Sequence, residues 1–132
     1  FTYLIVPHSG RWSDARMFDQ VERLNLPVEV AQVGPHDGDL PQELSFFSVD
    51  PIDLSLCGMK PAEDGNGVVL RLLNPTEREV PASISAWKPI KEAQLISLNE
   101  RNVVEELAPG GQSVSFTAPA KKILTVRLVL DR

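Results

Sequence analysis

The sequence is poor in cysteine and offers little sulfur chemistry. Of its 132 residues only Cys57 is a cysteine, which excludes an intrachain disulfide and any metal cluster built from several cysteines. The one near-match to a glycosylation site, Asn74 to Thr76, is disqualified by the proline at its middle position. Both absences favour a reducing compartment, and we expect a cytoplasmic protein.

Long hydrophobic runs and concentrated positive charge are also missing. The longest apolar run, Val68 to Leu73, is interrupted by Arg71, whereas a membrane-spanning helix needs about 20 mostly apolar residues. The 13 basic residues are scattered and outnumbered by 18 acidic ones, which gives a formal net charge of −5. Because binding to a phosphate backbone requires clustered Lys and Arg, neither a membrane nor nucleic acid is an expected partner.

What is present indicates one ordinary folded domain over residues 1–132. A chain of about 150 residues buries roughly 70% of the surface that it exposes when unfolded, and a hydrophobic share of 42% is close to the globular average. Near the N-terminus, Ser13 is a candidate N-cap for a helix that runs to about Leu24. Asp19 and Arg23 form a correctly oriented i,i+4 pair on this predicted helix, and Pro27 ends it.

Most of the remaining sequence has the pattern of short β-strands. Between Val80 and Ala86 apolar residues alternate with Pro and Ser, a period of two that gives one buried and one solvated face. Pro81 indicates an edge position or a bulge in that strand, and Asp64–Gly67 is typical of a hairpin turn. The predicted strands are 1–6, 28–33, 45–49, 54–60, 68–74, 80–86, 93–98, 103–107, 114–118 and 123–130. We therefore predict a mostly β fold, an antiparallel two-sheet β-sandwich with one short helix near the N-terminus.

The beginning of the chain indicates a fragment of a longer polypeptide. Residues Phe1–Val6 are β-rich and apolar, with no initiator methionine, charged leader or cleavage site typical of a signal peptide. An apolar strand at an extreme terminus leaves backbone groups unpaired unless it pairs with something. We therefore expect the natural polypeptide to continue upstream.

Candidate metal ligands are few. His8 and His36 are the only histidines, and Asp37 and Asp39 are the carboxylates that could join them. A catalytic zinc usually has three protein ligands around one point, so two separate loops would have to converge. The alternative is that each histidine lies in a turn and hydrogen-bonds locally, and we expect no cofactor within this chain.

The sequence also lacks the motifs of nucleophilic catalysis. No serine lies in a Gly-x-Ser-x-Gly elbow, and no glycine-rich phosphate cradle is present. Cys57 falls in a predicted strand, where core packing is its expected role. The acidic pairs Asp37 with Asp39, Glu63 with Asp64 and Glu105 with Glu106 fall mostly in predicted turns, where water keeps carboxylates ionised. The chain is therefore predicted to lack a complete catalytic site.

Two tryptophans are candidate platforms on which a sugar ring could stack. Trp12 lies beside Arg11 in a predicted turn, and Trp87 lies at the end of a predicted strand, whereas the other aromatic residues are expected mostly in the core. A carbohydrate-binding module that acts through Trp12 and Trp87 is therefore the alternative function.

A series of short segments carries a resemblance to a known family. The chain opens Phe-Thr-Tyr-Leu-Ile-Val-Pro-His-Ser-Gly-Arg-Trp, in which a strand ends in Pro-His-x-Gly and a short helix follows. The other segments are Asn25–Pro27, Phe46–Val49, Lys60–Gly65, Val69–Pro75 and Pro89–Ala93. In this order, and across essentially the whole chain, they resemble the C-terminal β-sandwich region of glycoside hydrolase family 38 α-mannosidases, most closely the cytosolic-type and prokaryotic members.

The resemblance implies a parent enzyme that hydrolyses α-linked mannose with retention, using a zinc ion and an aspartate nucleophile. Those groups belong to an N-terminal catalytic domain that would precede Phe1, so none is assigned to a residue here. His8, Gly10 and Trp12 match the motif loop of the family. The chain itself is then expected to be a non-catalytic domain that packs on its own catalytic domain and supports it. The parent would act on a mannose-containing glycan, and a homo-oligomeric parent is compatible with the resemblance.

Overall fold

The computed structural model describes residues 3–12, 15–26 and 28–131, which form two compact units, Phe1–Leu44 and Ser45–Arg132. The first unit holds the helix and the second unit holds the strands. The expectation of a single domain over residues 1–132 stays a prediction. None of the helical residues in the described ranges forms a segment long and apolar enough to cross a bilayer.

The first unit contains helix α1, Met17–Asn25, so the predicted helix is present. It begins later in the chain than an N-cap at Ser13 would give. The helix begins after Arg16, whose backbone has a φ of 52°, and no side chain caps it. The predicted N-cap Ser13 and the predicted terminator Pro27 lie outside the described residues. The predicted pair on the helix surface is confirmed, since Arg23 Nε lies 3.3 Å from Asp19 Oδ2.

The strands predicted at residues 1–6 and 28–33 are wrong over their described positions. Residues 3–6 and 28–33 have no strand conformation, and the side chains of Val28 and Val30 are about 90% exposed. A β-branched segment becomes a strand only where a neighbour supplies a hydrogen-bonding ladder. All described strands lie in the second unit.

The second unit is a two-sheet antiparallel β-sandwich, so the predicted fold class is confirmed. Its strands are β1 Phe47–Asp50, β2 Ser55–Pro61, β3 Val68–Leu73, β4 Val80–Ala86, β5 Ile90–Ile96, β6 Val103–Leu107, β7 Pro109–Gly110, β8 Ser113–Ala118 and β9 Ile123–Leu130. One sheet has the order β1-β4-β8-β7 and the other has the order β2-β3-β9-β5-β6. The core lies between the inner faces of these sheets.

Alternating side chains build this core in the way that the sequence predicted. In β4, Val80, Ala82, Ile84 and Ala86 are buried, while Pro81 is exposed. In β9, Leu124, Val126 and Leu128 are buried and belong to one cluster with Leu70 and Leu72 of β3, while Thr125 between them is also buried but lies outside this cluster. Burial of such aliphatic side chains contributes about 1.5–3 kcal/mol each.

The surroundings of two residues in the strands, Pro81 and Cys57, depend on how the strands pair. Strand β4 has a neighbour on each side, but β1 pairs only with residues 83–86, so Pro81 lies where β8 alone accompanies the strand. Cys57, predicted to pack in the core, is exposed. The register between β2 and β3 shifts between Leu56 and Gly58, so Cys57 is the extra residue of a β-bulge, and its side chain leaves the buried row.

The predicted hairpin between β2 and β3 is present and is held onto the sheet. Pro61 pairs with Val68, and a Cβ atom on Gly67, whose φ is 103°, would overlap the carbonyl oxygen of Leu128 in β9. Arg127 Nη2 lies 2.9 Å from Asp64 Oδ2, and its Nε donates to the carbonyl oxygen of Asn66 at 3.1 Å. The turn therefore approaches β9 so closely that only glycine fits at its end.

Asn74 is a fully buried polar residue that directly follows β3. Its Nδ2 donates to the carbonyl oxygens of Arg78, Ala118 and Pro119 at 2.9, 2.9 and 3.0 Å. Its Oδ1 accepts from the backbone N–H and the hydroxyl of Thr76, at 3.0 and 2.7 Å. Because Ala118 ends β8, one side-chain amide connects the two sheets.

We expect Asn74→Ala to lower the free energy of unfolding by about 3 kcal/mol or more, since several buried carbonyl and N–H groups lose their partner. Urea denaturation followed by circular dichroism measures this loss. Asn66→Ala, at an exposed position in the β2–β3 turn, is the matched control and should change the value by about 0.5 kcal/mol or less. Equal effects of the two substitutions would contradict the role of Asn74.

Candidate functional site

The two histidines lie in exposed loops of the first unit. His8 Nδ1 lies 3.4 Å from the carbonyl oxygen of Ser9, and His36 Nδ1 lies 3.2 Å from that of Gly34. Within the described ranges, no group of three or more His, Cys, Asp or Glu side chains could hold a metal ion. The described residues therefore do not fit a zinc site, and the candidate pair His8 and His36 is not joined by a third ligand.

The motif loop, which contains His8, Gly10 and Trp12, lies on the surface. Gly10 has a φ of 78°, a left-handed conformation that glycine adopts readily. Trp12 is 48% exposed, and its ring contacts Phe18 of α1 edge to face, with 6.1 Å between ring centroids. About half of the Trp12 side chain is therefore accessible to solvent in this loop.

Trp87 follows β4 and lies beside a second aromatic residue. Its ring contacts Phe46 edge to face at 5.5 Å between centroids, and its backbone N–H donates to the carbonyl oxygen of Phe46 at 3.0 Å. The ammonium group of Lys88 lies 4.8 Å from the centroid of the Trp87 ring. Trp87 and Phe46 remain 37% and 49% exposed, so this aromatic pair is a surface feature rather than part of the core.

The acidic pairs noted in the sequence are exposed, as predicted, and three of their members, Glu63, Asp64 and Glu106, have defined polar partners. Asp64 accepts a hydrogen bond from the N–H of Asn66 at 2.9 Å, and this bond together with Arg127 keeps the pKa of Asp64 below its ordinary value of 3.8. Glu106 Oε1 accepts from Gln94 Nε2 at 2.9 Å. Both carboxylates are exposed groups with structural partners, not the desolvated acid that general acid catalysis requires.

The structure reveals one charge cluster that the sequence analysis missed. Glu100, in the turn between β5 and β6, has a side chain that is only 7% exposed. Its Oε1 lies 2.9 Å from Lys60 Nζ and 3.5 Å from Arg71 Nη2, and its Oε2 accepts from the backbone N–H of Glu63 at 3.2 Å. Lys60 also pairs with the side chain of Glu63. Since Glu100 is far from these partners in sequence, no local spacing could have found the cluster.

The charges of this cluster hold one another in place. Hydrogen bonding to Lys60, with further help from the N–H of Glu63 and the charge of Arg71, keeps the pKa of Glu100 below its ordinary value of 4.5. Bonds to Glu63 and Glu100 raise the pKa of Lys60 above 10.5. Each group is therefore stabilised in its charged form at neutral pH, which suits anchoring of a turn and not proton transfer.

We expect the cluster to make stability depend on pH. Because the pKa of Glu100 is lower in the folded state, its contribution is fully present above pH 4.5 and is lost as the pH falls through the lower folded-state value. Glu100→Gln should therefore be less stable than the unmodified chain at pH 7, with the difference shrinking toward acid. Urea midpoints measured at several pH values test this. Glu105→Gln, which removes an exposed carboxylate from β6, is the control, and a difference that does not change with pH would contradict the assignment.

Comparison with known proteins agrees with the architecture. The family model for the glycosyl hydrolases family 38 C-terminal beta sandwich domain matches residues 54–126, which is more than half of the chain. A protein of Halalkalibacterium halodurans named "Putative mannosylglycerate hydrolase" is 28% identical over 129 residues, which cover 95% of this chain and 14% of that relative.

The chain thus spans only a small part of the length of this relative. No solved structure matches this chain. The family match begins at Leu54, just before β2, and ends within β9, so it covers most of the sandwich described above. The resemblance inferred from the sequence is confirmed: this chain belongs to the C-terminal β-sandwich domains of glycosyl hydrolases family 38.

Proposed function

We propose that this chain is a non-catalytic domain of a larger glycoside hydrolase, which packs on a separate catalytic part and supports it. One observation carries the proposal: the chain belongs to a C-terminal domain family and covers 14% of a relative named as a hydrolase. The geometry supports it, because most of the described carboxylates are exposed, and the largely buried side chain of Glu100 serves in ion pairs. Such groups stabilise a scaffold and do not form a paired acid and nucleophile.

The proposal extends to the chemistry of the parent enzyme. We propose that the catalytic part binds zinc and hydrolyses α-mannosidic bonds, and the name of the relative adds mannosylglycerate as a candidate substrate. Since no set of metal-ligating side chains converges in the described part of this chain, the zinc ligands in this proposal belong to the catalytic part. A cytoplasmic location, for which the single unpaired Cys57 is the support, is part of the same proposal.

We expect the isolated 132-residue chain to hydrolyse neither an aryl α-mannoside nor mannosylglycerate, with or without added zinc, whereas the parent polypeptide hydrolyses at least one of them. Release of the aryl group and of mannose measures the two reactions. Treatment of the parent with a chelator should abolish turnover, and added zinc should restore it. Zinc-dependent turnover by the isolated chain would overturn the non-catalytic role.

The exposed pair of Phe46 and Trp87 supports a second candidate, a carbohydrate-binding module. Aromatic faces stack on sugar rings, and the half-exposed Trp12 is a further platform. On this hypothesis, calorimetric titration shows that the isolated chain binds a manno-oligosaccharide, and Trp87→Ala lowers the affinity at least about tenfold. Lys88→Ala, which removes the cation over the ring but keeps the ring itself, is the control. Absence of heat, or binding that survives both Trp12→Ala and Trp87→Ala, would eliminate this candidate.

A further inference from the structure

An apolar groove of about 360 Å³ lies at one end of the sandwich, where β5 ends and β6 and β9 begin. Its polar rim consists of side chains such as Glu105 and Lys122. The apolar residues that line the groove are Leu95, Ile96, Leu98, Val104, Ile123 and Leu124. Leu95 and Leu124 also contact the core, so the groove is continuous with the interior of the sandwich.

Three aliphatic side chains around this groove face solvent. Leu98 is 59% exposed, Val104 is 69% exposed and Ile123 is 57% exposed. A single exposed aliphatic residue is ordinary. Several that surround one apolar concavity are typical of a surface that another molecule covers, because covering apolar area is favourable by about 25 cal/mol per Å².

The groove adjoins β6, which is an edge strand of its sheet. The edge strands of the other sheet, β1 and β7, are short, and both edge strands of this sheet are bulged: β2 at Cys57, and β6 at Val104, where the register against β5 shifts between Leu95 and Ile96. Strand β6 has no proline, glycine or lysine, and its consecutive residues Val103 and Val104 are both exposed. The bulge and the charges of Glu105 and Glu106 oppose the addition of another strand at this edge, so its exposed valines offer a contact through side chains.

We propose that the groove and the edge of β6 form the surface on which the rest of the larger polypeptide docks. This inference rests on the proposed function. The occupant is an apolar segment of the remaining chain with a basic residue placed against Glu105 and Glu106. The support for this occupant is length, since the chain covers 14% of its relative and the uncovered part of such a protein is large enough to supply the segment.

Charge argues against a second copy of this chain as the occupant. A two-fold contact between copies uses the same patch on both, and this patch holds two glutamates, Glu105 and Glu106, against one lysine, Lys122, so its net negative charge would meet that of the second copy. The chain also carries a net charge of −5, which adds repulsion between copies. A basic segment of the parent meets these carboxylates with the complementary sign.

Hydrogen–deuterium exchange of the full-length parent and of the isolated 132-residue chain tests the docking surface. In the parent, we expect the amides of residues 103–107 to exchange at least about tenfold more slowly than in the isolated chain. Amides of β2, the opposite edge of the same sheet, should exchange at similar rates in both, which makes them the internal reference.

Val104→Asp in the full-length parent tests the apolar contact directly. We expect limited proteolysis to release the sandwich at least several-fold faster from this variant, and Leu98→Asp should act in the same direction. Met59→Asp, at a 55% exposed position on the edge strand β2, is the matched control and should behave like the unmodified parent. Because Val104 is exposed, the thermal midpoint of the isolated Val104→Asp chain should stay close to that of the unmodified chain, which separates docking from folding.

The outcomes distinguish this inference from the function on which it rests. A parent that hydrolyses a mannoside, with residues 103–107 unprotected and Val104→Asp equal to Met59→Asp, overturns the docking surface and leaves the proposed function standing. A protected groove in a parent without glycosidase activity supports the docking surface and overturns the proposed function. Concentration-dependent protection in the isolated chain, with the mass of a dimer, makes a second copy the occupant and overturns the inference.

Discussion

The buried side-chain amide of Asn74 is the interaction on which the sandwich depends most directly. It lies just after β3 in one sheet and donates to the last residue of β8 in the other, so it links the two layers by a polar contact inside the core. A buried amide with both its donors and its acceptor paired specifies one arrangement, whereas aliphatic packing tolerates several. Asn74 also holds the loop before β9, because its backbone N–H donates to the carbonyl oxygen of Lys122 at 2.9 Å.

Once the two layers are fixed, most of the charged groups of the sandwich that have described partners serve its surface loops. Arg127 fastens the β2–β3 turn through Asp64, and Glu100 fastens the β5–β6 turn to Lys60 and Arg71. The partners keep the pKa values of Asp64 and Glu100 below their ordinary values, which is the opposite of the raised pKa of a catalytic acid. The electrostatics therefore agree with a scaffold whose role is to present surfaces, namely the aromatic pair at Trp87 and the apolar groove beside β6.

The division into a rigid sandwich and its surfaces explains why family membership and activity must be argued separately. The two-sheet architecture and the match over residues 54–126 identify the domain. They do not identify a reaction, because a fold presents many kinds of site. The groove and the exposed valines of β6 leave apolar area in contact with water, which costs free energy until it is covered.

The sequence by itself determined the features that depend on neighbours along the chain. The alternation in β4 and β9, the turn at Asp64–Gly67 and the charge pair on α1 follow from local periodicity and backbone preference. Only the tertiary structure decided which β-like segments found partners, so residues 3–6 and 28–33 are not strands and Cys57 lies in a bulge. The cluster at Glu100, the bridge at Asn74 and the groove also emerged only there. Each joins residues far apart in the sequence, and such contacts are set by strand order and register, which no local pattern encodes.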